Sequence, residues 1–223
     1  MNLQIKQGIL SFREIPALAD RAAKSVVLLR HSMRESLNKG SNPGLTPDGT
    51  AYARQSGTFL AGLRDVGFGA SPRKRSIETA AALRLGMDGT EGEVRTYRDI
   101  ADTFMFVAPD GLDQAIRSGR IPEMLREYYS GGHTDGLKDL KDFSAGLLRF
   151  LTETDFPDKN TILISHDIVI VSLLAPLKVY PFRPTDWCGY VQGAALFRSP
   201  DGNWSIYYTV PDLASRKETT LFI

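Results

Sequence analysis

Ser25-Val26-Val27-Leu28-Leu29-Arg30-His31-Ser32-Met33-Arg34 is the stretch that decides the fold. Four apolar residues, two of them β-branched, run without a break into Arg-His. A short apolar run bounded by polar residues reads as a strand buried on both faces. Open α/β sheets bind ligands just past the carboxyl ends of their strands. Arg30, His31 and Arg34 are therefore expected where such folds keep their chemistry. Two guanidinium groups beside an imidazole suit a doubly charged oxyanion, of which phosphate is the commonest. The alternative is a strand end carrying solvated charges.

The pattern recurs at Thr161-Ile162-Leu163-Ile164-Ser165, which ends at His166-Asp167. Between the two, residues 35–45 read as a Gly/Pro-rich loop. Thr46 then caps a helix that has Pro47 at its first position, with Tyr52, Ser56, Phe59, Leu60 and Leu63 on one face. A glycine-rich strand candidate, Val66 to Ser71, leads through Pro72-Arg73-Lys74-Arg75 into the helix formers Ser76 to Leu83. Val94–Tyr97 reads as a further strand, and Leu137 to Leu151 as a long amphipathic helix. Gly193–Phe197 and Ser205–Val210 read as late strands, while residues 17–24 suggest a short helix leading into the first strand. Residues 103–136 form a partly helical excursion over one end of the sheet. Buried strands separated by helices predict an α/β fold, with a mainly parallel sheet covered on both sides. We expect a single domain over residues 1–223.

Composition narrows the function. A net charge of +1 on 223 residues gives no global field for nucleic acid or an anionic membrane, so any anion site is local. The lone cysteine, Cys188, cannot form an internal disulfide, which fits a reducing, cytoplasmic location. No apolar run has the length of a membrane span.

Two buried strands that end in histidine, with basic clusters at element ends, place His31, His166, Arg30 and Arg75 on one sheet edge. Phosphoryl transfer needs positioning and charge stabilisation, which arginines provide. A histidine can be the nucleophile if its attacking nitrogen is neutral and the other is held by an acceptor. Arg30-His31-Ser32, Leu45-Thr46-Pro47-Asp48-Gly49, Ser71-Pro72-Arg73-Lys74-Arg75 with Thr79-Ala80, and Ile164-Ser165-His166 resemble, in order, four motifs of the histidine phosphatase superfamily (phosphoglycerate mutase-like). The resemblance implies a three-layer α/β/α sandwich, with the excursion over the active-site edge. It also implies a phosphohistidine intermediate on His31, and a phosphate pocket of Arg30, Arg75 and His166 that needs no metal or other cofactor.

There are departures. Ser32 replaces the family's glycine. Arg34 and Asp167 sit where the acid-phosphatase branch has a second phosphate-binding arginine and a proton-donating aspartate. In the mutase-like branch the acid lies on a later loop, where Asp102 stands. Asp167 is the preferred acid and Asp102 the alternative, although Asp167 could instead cap the helix from Ile168. The expected function is hydrolysis of a small phosphomonoester, with no nucleic-acid or membrane partner. Mutase-type phosphoryl transfer, a non-catalytic phosphate-binding module and a metal-dependent hydrolase are the alternatives. Arg73 and Lys74 read as solvated neighbours of Arg75, His133 as a loop residue and Cys188 as a small packed residue.

Overall fold

The computed structural model describes residues 2–36, 42–108, 110–183 and 186–212. Residues 37–41 of the predicted loop, and Pro109 in the excursion, lie outside these. Seven strands form one sheet: β1 (Leu3–Ser11), β2 (Lys24–Arg30), β3 (Val66–Ala70), β4 (Val94–Thr96), β5 (Asn160–Ser165), β6 (Gly193–Arg198) and β7 (Trp204–Val210). Their order is β1-β7-β6-β2-β5-β3-β4. Only β6 runs against the rest, pairing antiparallel with β2 and β7. The sheet is mainly parallel, as expected.

Alternation along β2 explains its unbroken apolar run. Val26 and Leu28 pack into one core with α6 (Leu140–Glu153) and α7 (Asp167–Leu174). Val27 and Leu29 point to the opposite core, which contains residues of α1 (Ile15–Arg21) and α3 (Lys74–Asp88). Successive side chains of a strand alternate between faces, so a strand between two layers must be apolar throughout. Helix α2 (Pro47–Thr58) begins as predicted, with Thr46 Oγ1 accepting from Gly49 N at 2.9 Å and Pro47 in the first turn. It crosses α3 backbone to backbone. A Cβ on Gly57 would lie 2.1 Å from Leu83 O, and one on Gly86 would lie 1.8 Å from Arg54 O.

One difference from the sequence reading stands out, and the excursion is partly helical as expected. Strand β1 was not anticipated: the chain enters the sheet at its edge, paired only with β7, before α1. The excursion contains α4 (Gly111–Arg117) and α5 (Ile121–Gly131). Its ends are pinned together by Val107 N to Gly136 O and Lys138 N to Met105 O, both 2.9 Å. It rests on the start of α7, where Tyr129 OH donates to Ile168 O at 3.0 Å. Met105 and Tyr128 are fully buried and act as anchors, whereas Phe104 is exposed. No helix among the described residues is long and apolar enough to cross a membrane.

Candidate active site

Three neighbouring strands, β2, β5 and β3, end level with one another: Arg30 pairs with Ser165, and Ala70 with Ile164. The next residue of each chain keeps the ladder going, since His31 N donates to Ser165 O (2.9 Å) and Ser71 N to Ile164 O (2.8 Å). His31, Ser71 and His166 thus stand side by side at the carboxyl edge, held by backbone register. The two imidazoles lie 5.4 Å apart, edge to face, and both are almost fully buried.

His31 Nδ1 is 2.7 Å from the carbonyl of Ser32. A carbonyl only accepts, so Nδ1 carries the proton and Nε2 keeps its lone pair. Burial above all, then His166, Arg75 and Arg30, push the His31 pKa well below its usual value, which keeps the ring neutral. Ser32 fits where glycine was expected, because its hydroxyl donates to Gly49 O at 2.7 Å and its N–H donates to Thr79 Oγ1 at 3.0 Å.

His166 is organised in the opposite sense. Its Nδ1 lies 3.2 Å from Arg75 Nη2, a donor, so Nδ1 accepts. Nε2–H then donates to Ser71 Oγ (2.9 Å), which donates on to Ser76 Oγ (2.9 Å). Burial is the main cause that lowers the His166 pKa to about 4, with Asp102 opposing it and Arg75 reinforcing it. The 3.7 Å approach of Asp102 Oδ2 to Nδ1 is therefore not an ion pair at neutral pH.

Asp102 is instead held by two arginines, Arg75 Nη2 at 2.8 Å and Arg73 Nε at 3.1 Å. Burial raises its pKa, but the pull of a protonated His166, of Arg75 and of Arg73 outweighs this and brings it to about 2. Arg73 is thus an ion-pair partner rather than a solvated neighbour; Lys74 is the exposed one. Across the site, Arg30 Nη1 donates to Cys188 O (2.6 Å), and Nη2 pairs with Asp167 Oδ2 (3.1 Å). The same carboxylate oxygen accepts Trp187 Nε1 at 3.1 Å. Arg30 Cζ also lies 4.5 Å above the ring of Tyr190. His166 occupies the cap position of α7 and Asp167 is its first residue, where Oδ1 accepts from Ile168 N at 3.0 Å, so Asp167 serves the helix N-terminus in part. Arg34, half-buried, donates to Glu35 O at 3.0 Å, and its charge acts on Arg75.

Arg30 and Arg75 each keep a buried Nε–H with no partner. Unpaired buried donors are uncommon, and here they belong to two cations flanking a neutral histidine. Such a cradle fits a phosphate-sized anion. Among the described residues, no group of three or more His, Cys, Asp or Glu side chains is placed to hold a metal ion. His133 is exposed and takes no part.

The structure adds Ser71, Arg73, Trp187, Tyr190 and the Cys188 carbonyl to the residues expected from sequence. Ser71 was findable, since it follows a strand end just as His31 and His166 do. Cys188 is fully buried, with its thiol pKa pushed up by that burial, and its contribution is a backbone oxygen that no side-chain reading reveals.

The fold has relatives among solved structures. A mycobacterial glucosyl-3-phosphoglycerate phosphatase complexed with VO3 superposes with a TM-score of 0.56 at 20% identity, over 84% of this chain and 98% of that one. Phosphoglycerate mutase from Bacillus anthracis gives 0.54 at 16% identity, over 88% and 96%. A phosphoserine phosphatase variant from Entamoeba histolytica, with phosphoserine bound, gives 0.54 at 18% identity, over 84% and 95%. No curated protein sequence matches the chain. The family model of the histidine phosphatase superfamily (branch 1) matches residues 26–190, which contain all four motifs with His31 and His166, and the chain belongs to that superfamily.

Proposed function

We propose that the protein is a metal-independent phosphomonoester hydrolase that works through a phosphohistidine on His31. The observation that carries this reading is the neutral His31, whose Nδ1–H is tied to the Ser32 carbonyl while Nε2 is left free beside two arginines with spare donors. The Nε2 lone pair attacks phosphorus, and the bond from phosphorus to the leaving oxygen breaks. Asp167 relays the proton carried by the monoanionic phosphate ester to that oxygen. In the second half a water attacks the phosphohistidine, its proton passes to Asp167, and the P–N electron pair returns to Nε2. Arg30, Arg75 and His166 hold the equatorial oxygens and stabilise their charge, and Arg34 adds a further cation at the entrance.

Asp167 is the better candidate for the acid because it is the more exposed of the two carboxylates (19% against 7% for the side chains). Asp102, brought to about 2 against its burial by a protonated His166 and by Arg75 and Arg73, is a poor proton carrier at neutral pH and serves to fix Arg75. The substrate is a small phosphorylated molecule, met in the cytoplasm without nucleic-acid or membrane partners. The whole chain works as one domain, with residues 103–136 as a cap over the leaving-group side.

The test is turnover of an aryl phosphate and of glycerol 2-phosphate by wild type, His31→Ala and Asp167→Asn, with and without chelator, followed by trapping of acid-labile phosphate. We expect chelator-resistant turnover, label on His31, and loss of both in His31→Ala. Asp167→Asn should lower the rate about 10²-fold or more with the poor leaving group and less with the aryl one. Phosphate binding without turnover on either substrate would favour the binding module.

A further inference from the structure

We infer that Tyr190 is a positioning residue that holds Arg30 and His31 in their working orientation. This rests on reading His31 as the nucleophile and Arg30 as a phosphate ligand. The half-buried ring of Tyr190 lies under the Arg30 guanidinium, 4.5 Å from Cζ, and 6.4 Å from the His31 imidazole at an interplanar angle of 45°. One aromatic ring thus neighbours both groups.

The backbone around it is built to keep it there. Gln192 N donates to Gly189 O (3.2 Å), closing a four-residue turn with Tyr190 and Val191 at its centre. Val191 sits in that turn at φ 57°, a left-handed conformation that is costly for a β-branched residue. Several bonds hold it in place. Val191 N donates to Arg30 O (3.1 Å), and Arg30 N donates to Gln192 O (2.8 Å). Gln192 Oε1 accepts from Gly189 N (2.9 Å) and from Tyr208 OH (2.5 Å). The turn is therefore stitched to both ends of the residue that its aromatic ring supports. Backbone strain retained in this way is a mark of functional geometry. Cys188 O and Asp167 hold the Arg30 guanidinium by its edge, and the ring adds a contact on its face.

The inference is tested with Tyr190→Phe, Tyr190→Leu and Tyr190→Ala, measuring kcat, KM, thermal midpoint and binding of inorganic phosphate. Phe keeps the ring and should behave like wild type in all four. Leu and Ala should weaken phosphate binding about 3- to 30-fold, the range of a buried cation–π contact. They should also lower kcat at least as much on both the aryl phosphate and glycerol 2-phosphate. A loss confined to KM for the aryl substrate would make Tyr190 a wall for aromatic leaving groups and overturn the inference. So would wild-type phosphate binding and turnover in Tyr190→Leu, or losses that Phe shares with Leu. If wild type binds phosphate but turns over neither substrate, hydrolysis fails, while the Leu/Phe contrast in phosphate binding still decides the role of Tyr190.

Discussion

Acidification should destabilise this protein through its candidate site, and His166 gives the size of the effect. In the folded chain its pKa is about 4 against an ordinary 6.5. The folded-state value is the lower one, so the unfolded chain binds the proton first. The associated stability is present above pH 6.5 and is lost as the pH falls through the window from 6.5 to 4. At about 1.4 kcal/mol per pH unit per unmatched proton, lowering the pH from 7 to 5 removes about 2 kcal/mol through His166. His31, depressed for the same reason, adds loss in the same direction. Asp102 titrates lower, between 3.8 and about 2, and leaves this interval untouched. Urea unfolding at pH 7, 6 and 5, followed by the fluorescence of the two buried tryptophans, Trp187 and Trp204, measures the slope directly. His166→Gln, which keeps a donor toward Ser71 but cannot titrate, should be less stable than wild type at pH 7. It should also lose about 2 kcal/mol less than wild type on going to pH 5. Equal pH slopes for the two proteins would refute the reasoning, since His166 would then not be buried in its neutral form.

Asp102→Asn should cost about 3 kcal/mol at pH 7, because it strands the charges of Arg75 and Arg73 that now share one carboxylate; urea midpoints read this, and restored stability in an Asp102→Glu control would assign the loss to charge. Ser32→Gly removes the buried hydrogen bond to Gly49 O and should cost about 1 kcal/mol, with kcat unchanged, as steady-state kinetics on the aryl phosphate would check.

Much of the site was legible because it hangs on strand ends. An apolar run that stops at Arg30-His31 or at His166 states both where the strand ends and what it presents, and helix α3 announces Arg75 in the same way. Strand β1 was not legible. Of its residues only Leu10 and Ser11 are buried, and a register shift between Ile5 and Ile9, with Gly8 at φ 101°, breaks the alternation that marks a strand. The 187–192 segment was hidden for another reason: it acts through a carbonyl, an indole N–H and a ring face, brought to Arg30 by the β2–β6 pairing far along the chain. The roles of Asp102 and Asp167 depend on which arginine each one meets, and spacing along the sequence carries no information on that.

The bare crossing of α2 and α3 sets a limit on how the proposed phosphate pocket can drift. Gly57 and Gly86 bring the two helix backbones into contact, and Arg75 lies eleven residues before Gly86, about 16 Å along the same rod. A methyl at either glycine would push the helices apart by about 1 Å to reach ordinary packing. The far end of α3 would swing with it, carrying the guanidinium away from His166 and Asp102. Two residues with no side chain and no chemistry thus act as a fulcrum for the charge of Arg75.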